Sequence, residues 1–285
     1  MNIVVATDFS TRSNRALRQA GLLAQAGKAQ LHIVHIVDED QPEDFVRMEK
    51  REATRLLVEQ VASMPELSGV RCNPMVTKGH AFGGILRTAE SVGPELIVMG
   101  QHRKQVLLDI FVGTTIERVV RGGRYPVLMV NNEAQRNYER VVVPVDMSEA
   151  AAHAIRVALV TGLMREDTAT ILHAFSPMGK SKMVSAGAHP ATIDEYVNSE
   201  NERALAELSN FLVSNDFGNK RWLLRAEEGS PMQVIGSTVS RTHPDLLVMG
   251  TNNRSGLSRA LIGSVTEEAL RSLKVDILAV PPAGR

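Results

Sequence analysis

The stretch Pro94-Glu-Leu-Ile-Val-Met-Gly100 returns almost unchanged, 150 residues later, as Pro244-Asp-Leu-Leu-Val-Met-Gly250. Four consecutive apolar residues that end at a glycine are typical of a strand buried on both faces of a parallel sheet. The same offset relates Gly113-Thr114 to Gly263-Ser264. The chain is therefore one module written twice.

A shorter offset, 138 residues, relates the N-terminal parts of the two copies. It links Asp8 to Asp146 and His35 to His173. The difference of 12 residues locates an insertion in the second copy, after His173. Within it we predict a surface loop over residues 176–191, because this stretch holds two glycines and two prolines among scattered serines and lysines.

Each copy alternates short apolar runs with longer stretches at helical spacing, which predicts an α/β fold. Alternation of this length forces parallel strand pairing, with helices on both faces of the sheet. The predicted strands are 1–7, 31–37, 70–77, 96–99 and 126–130, then 141–145, 170–175, 222–226, 246–249 and 277–280. The predicted helices are 10–26, 45–64, 82–92 and 114–121, then 150–163, 194–213, 232–240 and 265–273.

The repeat divides the 285 residues into two domains, which we predict to span residues 1–133 and 138–285. Around the boundary, the stretch Asn131–Asn137 is polar and lacks apolar periodicity, as expected of a linker.

The composition excludes several classes of protein. Lysine and arginine together number 32, the same as aspartate and glutamate, so no global field attracts nucleic acid or an anionic membrane. The single cysteine, Cys72, excludes a disulfide framework and a cysteine-based zinc site. There is no apolar run of 18 residues and no apolar signal segment. We expect a cytoplasmic protein that binds neither nucleic acid nor membrane.

Three repeated elements fall where a doubly wound sheet binds its ligand. The crevice lies at the carboxyl ends of the strands, where the strand order reverses. An aspartate follows the first strand, a glycine ends the fourth, and a Gly-Ser/Thr turn opens the last helix, where backbone amides and the helix dipole suit phosphate. The residues are Asp8, Gly100, Gly113 and Thr114 in the first copy, and Asp146, Gly250, Gly263 and Ser264 in the second.

Each element also has a purely structural interpretation. The aspartates precede Ser10 and Ser148 by two residues, so any of these side chains could cap a helix. The glycines could be strand-to-loop turns, and the hydroxyl residues simple caps. A recurrent strand histidine, here His35 and His173, is more often a hydrogen-bonded structural group than a catalyst.

On these residues, each copy resembles a universal stress protein domain, and the resemblance covers nearly the whole chain. The nucleotide-binding branch of that family carries Gly-x2-Gly-x9-Gly-Ser/Thr after the fourth strand. The second copy keeps this spacing from Gly250 to Ser264 but has Asn253 at the middle position, a mild departure because asparagine tolerates left-handed backbone. The first copy has Arg103 there, a larger departure. The resemblance therefore favours nucleotide binding in the second copy over the first.

The resemblance also implies the architecture and the rest of the pocket. It implies two similar doubly wound domains, each a five-stranded parallel sheet of order 3-2-1-4-5, as in adenine nucleotide alpha hydrolase-like folds. It implies that Asp8 and Asp146 lie near the ribose and any bound Mg2+. It implies that Ile36 and Ala174 line the adenine of ATP or AMP.

Three functions are compatible with the sequence. The first is a stress-response regulatory module that binds ATP or AMP, with no catalytic residue assigned. The second is a nucleotide-independent interaction scaffold, a pseudo-dimer with degenerate clefts, which the departures at Arg103 and Asn253 support. The third is slow ATP hydrolysis with a metal near Asp8 or Asp146, ranked last because no residue is present to activate water.

The final strands of the two copies predict how the halves meet. Proteins rarely leave an apolar edge strand open. Single-domain members of the family commonly pair their last strands across a two-fold axis, so the resemblance implies the same pairing within this chain. A homodimer of whole chains would then need another surface.

Overall fold

A computed structural model describes residues 1–101, 114–122, 124–251 and 262–283. The first half comprises β1 (Asn2–Thr7), α1 (Thr11–Gly27), β2 (Gln30–Val37), α2 (Glu43–Ser63), a 3-10 turn (Pro65–Leu67), β3 (Arg71–Lys78), α3 (Ala81–Val92), β4 (Leu96–Gly100), α4 (Thr115–Arg121) and β5 (Val127–Val130). The second half comprises β6 (Val141–Pro144), α5 (Glu149–Val160), β7 (Ala169–Phe175), α6 (Lys180–Ser185), α7 (Pro190–Ser214), β8 (Leu223–Glu228), α8 (Pro231–Thr242), β9 (Leu246–Gly250), α9 (Ser264–Ser272) and β10 (Asp276–Val280).

The strand order within each half confirms the predicted fold class. The first half runs β3-β2-β1-β4-β5 and the second runs β8-β7-β6-β9-β10, with parallel pairing throughout each half. The order reverses between the first and fourth strands of each half. That reversal places two crossover connections on opposite faces and opens a crevice at the carboxyl ends of the strands.

One sheet of ten strands runs through both halves, because β5 and β10 pair antiparallel. Leu128 lies opposite Leu278, its counterpart at the 150-residue offset, and both side chains are buried. Met129 lies opposite Ile277. A local two-fold axis therefore passes through the Leu128–Leu278 pair.

Helices cover both faces of this sheet. On one face, α1, α2, α5 and α7 bury a core that includes Leu17, Leu57, Ile155 and Leu208. On the other face, α3, α4, α8 and α9 bury a second core that includes Ile85, Ile116, Ile235 and Leu270. Each core continues across the junction between the halves, so the two copies share their apolar interior.

The insertion in the second half is not the surface loop predicted for residues 176–191. It contains α6, and α7 begins at Pro190. Proline suits the first position of a helix, since an N–H there would have no acceptor within the helix. The His189 side chain caps the N-terminus of α7 by accepting a hydrogen bond from the amide of Ala191. The loop prediction differs from the structure because Pro190 begins a helix instead of ending one.

The segment that joins the halves has no helix or strand, yet it is held against the second half. The carboxylate of Asp276 accepts hydrogen bonds from the Tyr138 hydroxyl at 2.7 Å and from the amides of Asn131 and Asn132 at 2.8 and 3.0 Å. Asp245 accepts from the amide of Arg140 at 3.0 Å and from its guanidinium at 2.8 Å. These contacts fix the direction in which the chain enters β6.

Candidate functional site

The second half carries a cavity of about 850 Å3 at the carboxyl ends of β6, β7 and β9 and the start of α9. Five of the six predicted residues of this half line it, and the sixth, Asn253, lies outside the described residues. The five that meet are Asp146, Ala174, Gly250, Gly263 and Ser264.

The first half has a smaller cavity of about 480 Å3 in the corresponding place. Asp8, Ile36 and Gly100 line it, whereas Thr114 does not and the next residue, Thr115, does. Two further predicted residues, Arg103 and Gly113, lie outside the described residues.

The aspartates do not cap the first helices of their halves. Ser10 and Ser148 are the caps, and their hydroxyls accept from the amides three residues on, at 3.3 and 3.2 Å. Each aspartate instead accepts from the amide of its serine, at 3.0 Å for Asp8 and 3.1 Å for Asp146. The carboxylates thereby stand beside the cavities in a fixed turn.

Both of these turns contain a residue with left-handed backbone, at the same position of the repeat. Phe9 has φ of 61° and Met147 has φ of 60°. Such backbone in a non-glycine residue costs about 1–3 kcal/mol, and it gathers at ligand sites where the surrounding structure holds it in place. Here the strain lies between the aspartate and the cap, and it sets the position of the carboxylate.

Asp8 is ionised at neutral pH. Burial opposes its ionisation, but hydrogen bonds from Ser10 and Ser13 outweigh burial and lower the pKa of the carboxyl. A carboxylate of this kind suits a hard cation that also bridges phosphates. Within the described residues, neither Asp8 nor Asp146 has two further metal-ligating side chains nearby; the one such cluster is the exposed set Asp38, Asp40 and His80.

Close packing explains the glycines at the ends of the fourth strands. A side chain at Gly250 would place its Cβ 2.9 Å from the carbonyl oxygen of Ala150, at the start of α5. At Gly100 the Cβ would lie 2.8 Å from the amide nitrogen of Ser13 in α1. Both positions require glycine for a reason that is independent of any ligand.

The last helices of the two halves differ at their first turns. Thr114 caps α4 by accepting from the amide of Glu117 at 3.2 Å, while the Glu117 carboxylate accepts from the amide of Thr114 at 3.1 Å. In the second half the N-cap residue of α9 is Gly263, which has no side chain to accept a capping hydrogen bond. The Ser264 hydroxyl therefore does not cap α9. The hydroxyl at the candidate phosphate position is thus committed in the first half but not in the second.

The start of α9 is fixed to the end of β9. The amide of Gly263 donates to the carbonyl of Thr251 at 3.0 Å, and the Thr266 hydroxyl donates to the carbonyl of Gly250 at 2.8 Å. The amide of Gly263 is therefore engaged. The donors left for an anion are the amides of residues 264–266, which have no acceptor within the helix.

The strand histidines are hydrogen-bonded to backbone, as predicted. Nδ1 of His35 lies 2.9 Å from the carbonyl oxygen of Thr7, and Nδ1 of His173 lies 2.9 Å from that of Val145. A carbonyl can only accept, so Nδ1 donates in both residues. Both rings also line the cavities, which the sequence pattern did not indicate.

The sequence patterns did not indicate two groups of residues, one in the lining of the larger cavity and one at the junction of the halves. The insertion adds Ser176 and Met178 to the lining of the larger cavity. At the junction of the halves, Arg271 contacts Glu117 and Arg121 contacts Glu267. The 150-residue offset, which relates Glu117 to Glu267 and Arg121 to Arg271, was the signal that could have found this second group.

Among the described residues, no helix combines the length and the apolar composition needed to cross a membrane.

Comparison with known proteins identifies the family. A model of the universal stress protein family matches residues 1–131 and again 137–281. Universal stress protein E of Escherichia coli (strain K12) is 22% identical over 218 residues, covering 73% of this chain and 67% of that protein. Universal stress protein MJ0531 of Methanocaldococcus jannaschii is 30% identical over 151 residues, covering 50% of this chain and 82% of that protein.

The fold is similar along almost the whole chain to that of a solved structure. The crystal structure of a universal stress protein from Archaeoglobus fulgidus DSM 4304 matches with a TM-score of 0.67 and 17% identity, covering 99% of this chain and 98% of that one. Since the family model matches both halves and almost all of the residues, the chain belongs to the universal stress protein family, with two of its domains in tandem.

Proposed function

We propose that the second half binds an adenine nucleotide, ATP or AMP, and that the protein acts as a stress-response regulatory module. The observation that carries the proposal is the convergence of Asp146, Ala174, Gly250, Gly263 and Ser264 on one cavity. Its volume of about 850 Å3 falls within the range of about 300–1,000 Å3 that is usual for sites of small ligands.

The phosphates are proposed to bind at the start of α9. This helix is nine residues long, and its first-turn amides carry partial positive charge. The Ser264 hydroxyl adds a donor beside them. Asp146, which lines the same cavity, is proposed to contact the ribose or a Mg2+ held by the phosphates, because a carboxylate beside bare phosphates would repel them.

The base is proposed to occupy the apolar part of the cavity, next to Ala174. Leu172, Val234, Ile235 and Met249 also line it, and all four are buried core residues. Burial of a flat aromatic ring against such a wall is favourable because it removes apolar surface from water.

The first half is proposed to bind nucleotide more weakly or not at all. Its cavity is smaller, and Thr114 already uses its hydroxyl to cap α4. These two observations favour the alternative function, an interaction scaffold with a degenerate cleft, for the first half alone. The pairing of β5 with β10 is proposed to hold the two halves together in solution as an internal pseudo-dimer.

Two measurements test the nucleotide proposal. Mass spectrometry of freshly purified, denatured protein should detect co-purified adenine nucleotide. Calorimetric titration of nucleotide-free protein with ATP, with and without Mg2+, should show one site, and Asp146→Ala should abolish the gain in affinity that Mg2+ gives. A wild-type protein that binds neither ATP nor AMP would leave the scaffold as the better description. Equal affinity with and without Mg2+ would remove the metal role from Asp146.

A further inference from the structure

The two clefts differ in the chain that leaves their second strands. Strands β2 and β7 end at equivalent residues, since the amide of Gly79 donates to the carbonyl of Val37 at 2.9 Å and that of Gly229 to Phe175 at 3.0 Å. After these ends the first half continues as Asp38-Glu-Asp40 and the second as Ser176-Pro-Met178. Asp40 and Met178 are therefore each the third residue after equivalent strand ends.

In the second half, this position puts an apolar side chain at the mouth of the cavity. Met178 lines the cavity and is 89% exposed, the largest exposed fraction among the large apolar side chains in the described ranges. An exposed methionine at the rim of a cleft can cover a flat ligand, because its thioether is flexible and makes favourable contacts with aromatic rings.

The rim is anchored directly after Met178. The amide of Gly179 donates to the Tyr196 hydroxyl in α7 at 3.0 Å, and Lys180 Nζ contacts both carboxylate oxygens of Glu228 in β8 at 2.7 and 2.8 Å. A Cβ at Gly179 would lie 2.9 Å from the Tyr196 hydroxyl oxygen, so a larger residue there would displace the Tyr196 side chain. The methionine thus stands at the start of a tethered segment.

In the first half, the same position carries negative charge. Residues 38–40 are all exposed acids. Asp38, together with Arg118, lines a cavity of about 510 Å3 that adjoins the candidate cleft and shares Ile36, Ala81 and Thr115 with it. Carboxylates beside a cleft raise the free energy of an approaching polyphosphate by like-charge repulsion.

We propose that the rim residue after the second strand selects which cleft accepts a nucleotide. Met178 packs on the aromatic base of a ligand that combines a planar base with a phosphate chain, and the acids at residues 38–40 turn the same ligand away from the first cleft. This inference rests on the proposed function and assigns to it a residue that distinguishes the two halves.

Calorimetric titration with three probes tests the role of Met178: ATP, the uncharged nucleoside adenosine, and tripolyphosphate, which lacks a base. Met178→Ala should lower the affinity for ATP and for adenosine by about tenfold, since it removes most of the apolar contact with the base. The affinity for tripolyphosphate should be unchanged. Met178→Asp should weaken all three, because it also adds the charge found in the first half. Val184→Asp is the matched control, for Val184 lies on α6, is exposed and does not line the cavity.

The outcomes separate the inference from the function on which it rests. If wild-type protein binds ATP and Met178→Ala binds ATP and adenosine within twofold of it, the role of Met178 is wrong and the proposed function stands. If Met178→Ala weakens tripolyphosphate as much as ATP, the methionine only shapes the cleft and does not contact a base. If wild-type protein binds no ATP, both proposals fail. Melting temperatures of all variants exclude misfolding as the cause.

Discussion

Glu117 of the first half and Arg271 of the second form a two-point ion pair across the junction. Nε and Nη2 of Arg271 lie 2.6 and 3.0 Å from the two carboxylate oxygens, and Glu117 is only 1% exposed. The counterpart pair, Arg121 with Glu267, has a single contact of 3.0 Å, and the Glu267 side chain is 25% exposed against 2% for that of Glu117. The two halves therefore supply the same residue types to both ion pairs, but the geometry and burial of the two pairs differ.

This asymmetry predicts unequal effects of two matched substitutions. Arg271→Ala leaves the buried Glu117 without its cation, also removes the exposed 2.8 Å contact of Arg271 with Glu267, and should lower the free energy of unfolding by about 1–3 kcal/mol. Arg121→Ala breaks the exposed counterpart and should cost at most about 1 kcal/mol. Urea denaturation of the two variants measures both values. Equal losses would mean that burial of Glu117 does not set the strength of the pair.

Gly263→Val should abolish ATP binding in the second half and leave the fold intact. The backbone at Gly263 has φ of −58°, which valine adopts freely, while the added methyl groups would enter the space in front of the first turn of α9. Gly236→Val is the control, because a Cβ at Gly236 meets no atom within 4 Å and this residue does not line the cavity. Calorimetry with ATP reports the difference, and unchanged affinity in the Gly263 variant would reject the phosphate position. Gly113→Val should matter less, since Thr114 already caps its helix.

The junction predicts that the two halves stay together after the chain is cut. A protease site placed between Gln135 and Arg136 should yield two fragments that co-elute in gel filtration under native conditions. Leu128→Pro should separate them, because proline cannot donate to the ladder and disrupts the β5–β10 pair. Leu223→Pro, at the start of the edge strand β8, is the control and should leave the fragments associated. Free separation of the fragments without any substitution would contradict the internal pseudo-dimer.

Asp276 should contribute a distinct pH dependence to stability. Burial raises the pKa of its carboxyl by more than the hydrogen bonds from Tyr138, Asn132 and Asn131 lower it. A raised pKa in the folded state means that ionisation disfavours folding. The contribution of Asp276 to the free energy of unfolding is therefore greatest below the ordinary pKa of about 4 and falls as pH rises through the folded value.

Comparison with Asp276→Asn isolates this contribution. The difference in free energy of unfolding, wild type minus variant, should fall as pH rises above about 4 and then become constant. Urea denaturation across a pH series measures it. A difference that rises over this range would show that the hydrogen bonds to Asp276 dominate over its burial.

The predictable parts of the structure were those set by local pattern and repeat. The buried run Leu96–Met99 and its copy predicted strands β4 and β9. The rule that ligands bind at the carboxyl ends of parallel strands predicted that Asp146 and Ser264 lie at one cavity. The tertiary contacts across the junction required the repeat and the strand pairing together. Glu117 and Arg271 are 154 residues apart, so only the 150-residue offset, and no short-range pattern, relates their positions.

One sequence signal pointed in the wrong direction, and another carried two meanings. Pro190 suggested a break in structure, but a proline that follows a capping residue begins a helix. Gly250 lines the candidate cavity, and the backbone of Ala150 also occupies the position where its side chain would be, so close packing alone requires the glycine. In both positions the neighbouring residues in space, and not the residue type alone, determine the role.

The linker between the halves has an evolutionary consequence. In a homodimer built on the axis through Leu128 and Leu278, every substitution would appear twice, so a cleft could change only together with its twin. Once residues 131–140 join the copies in one polypeptide, each half mutates alone. Asp40 and Met178, each the third residue after its strand, could then diverge, and one cleft could change while the other stayed the same.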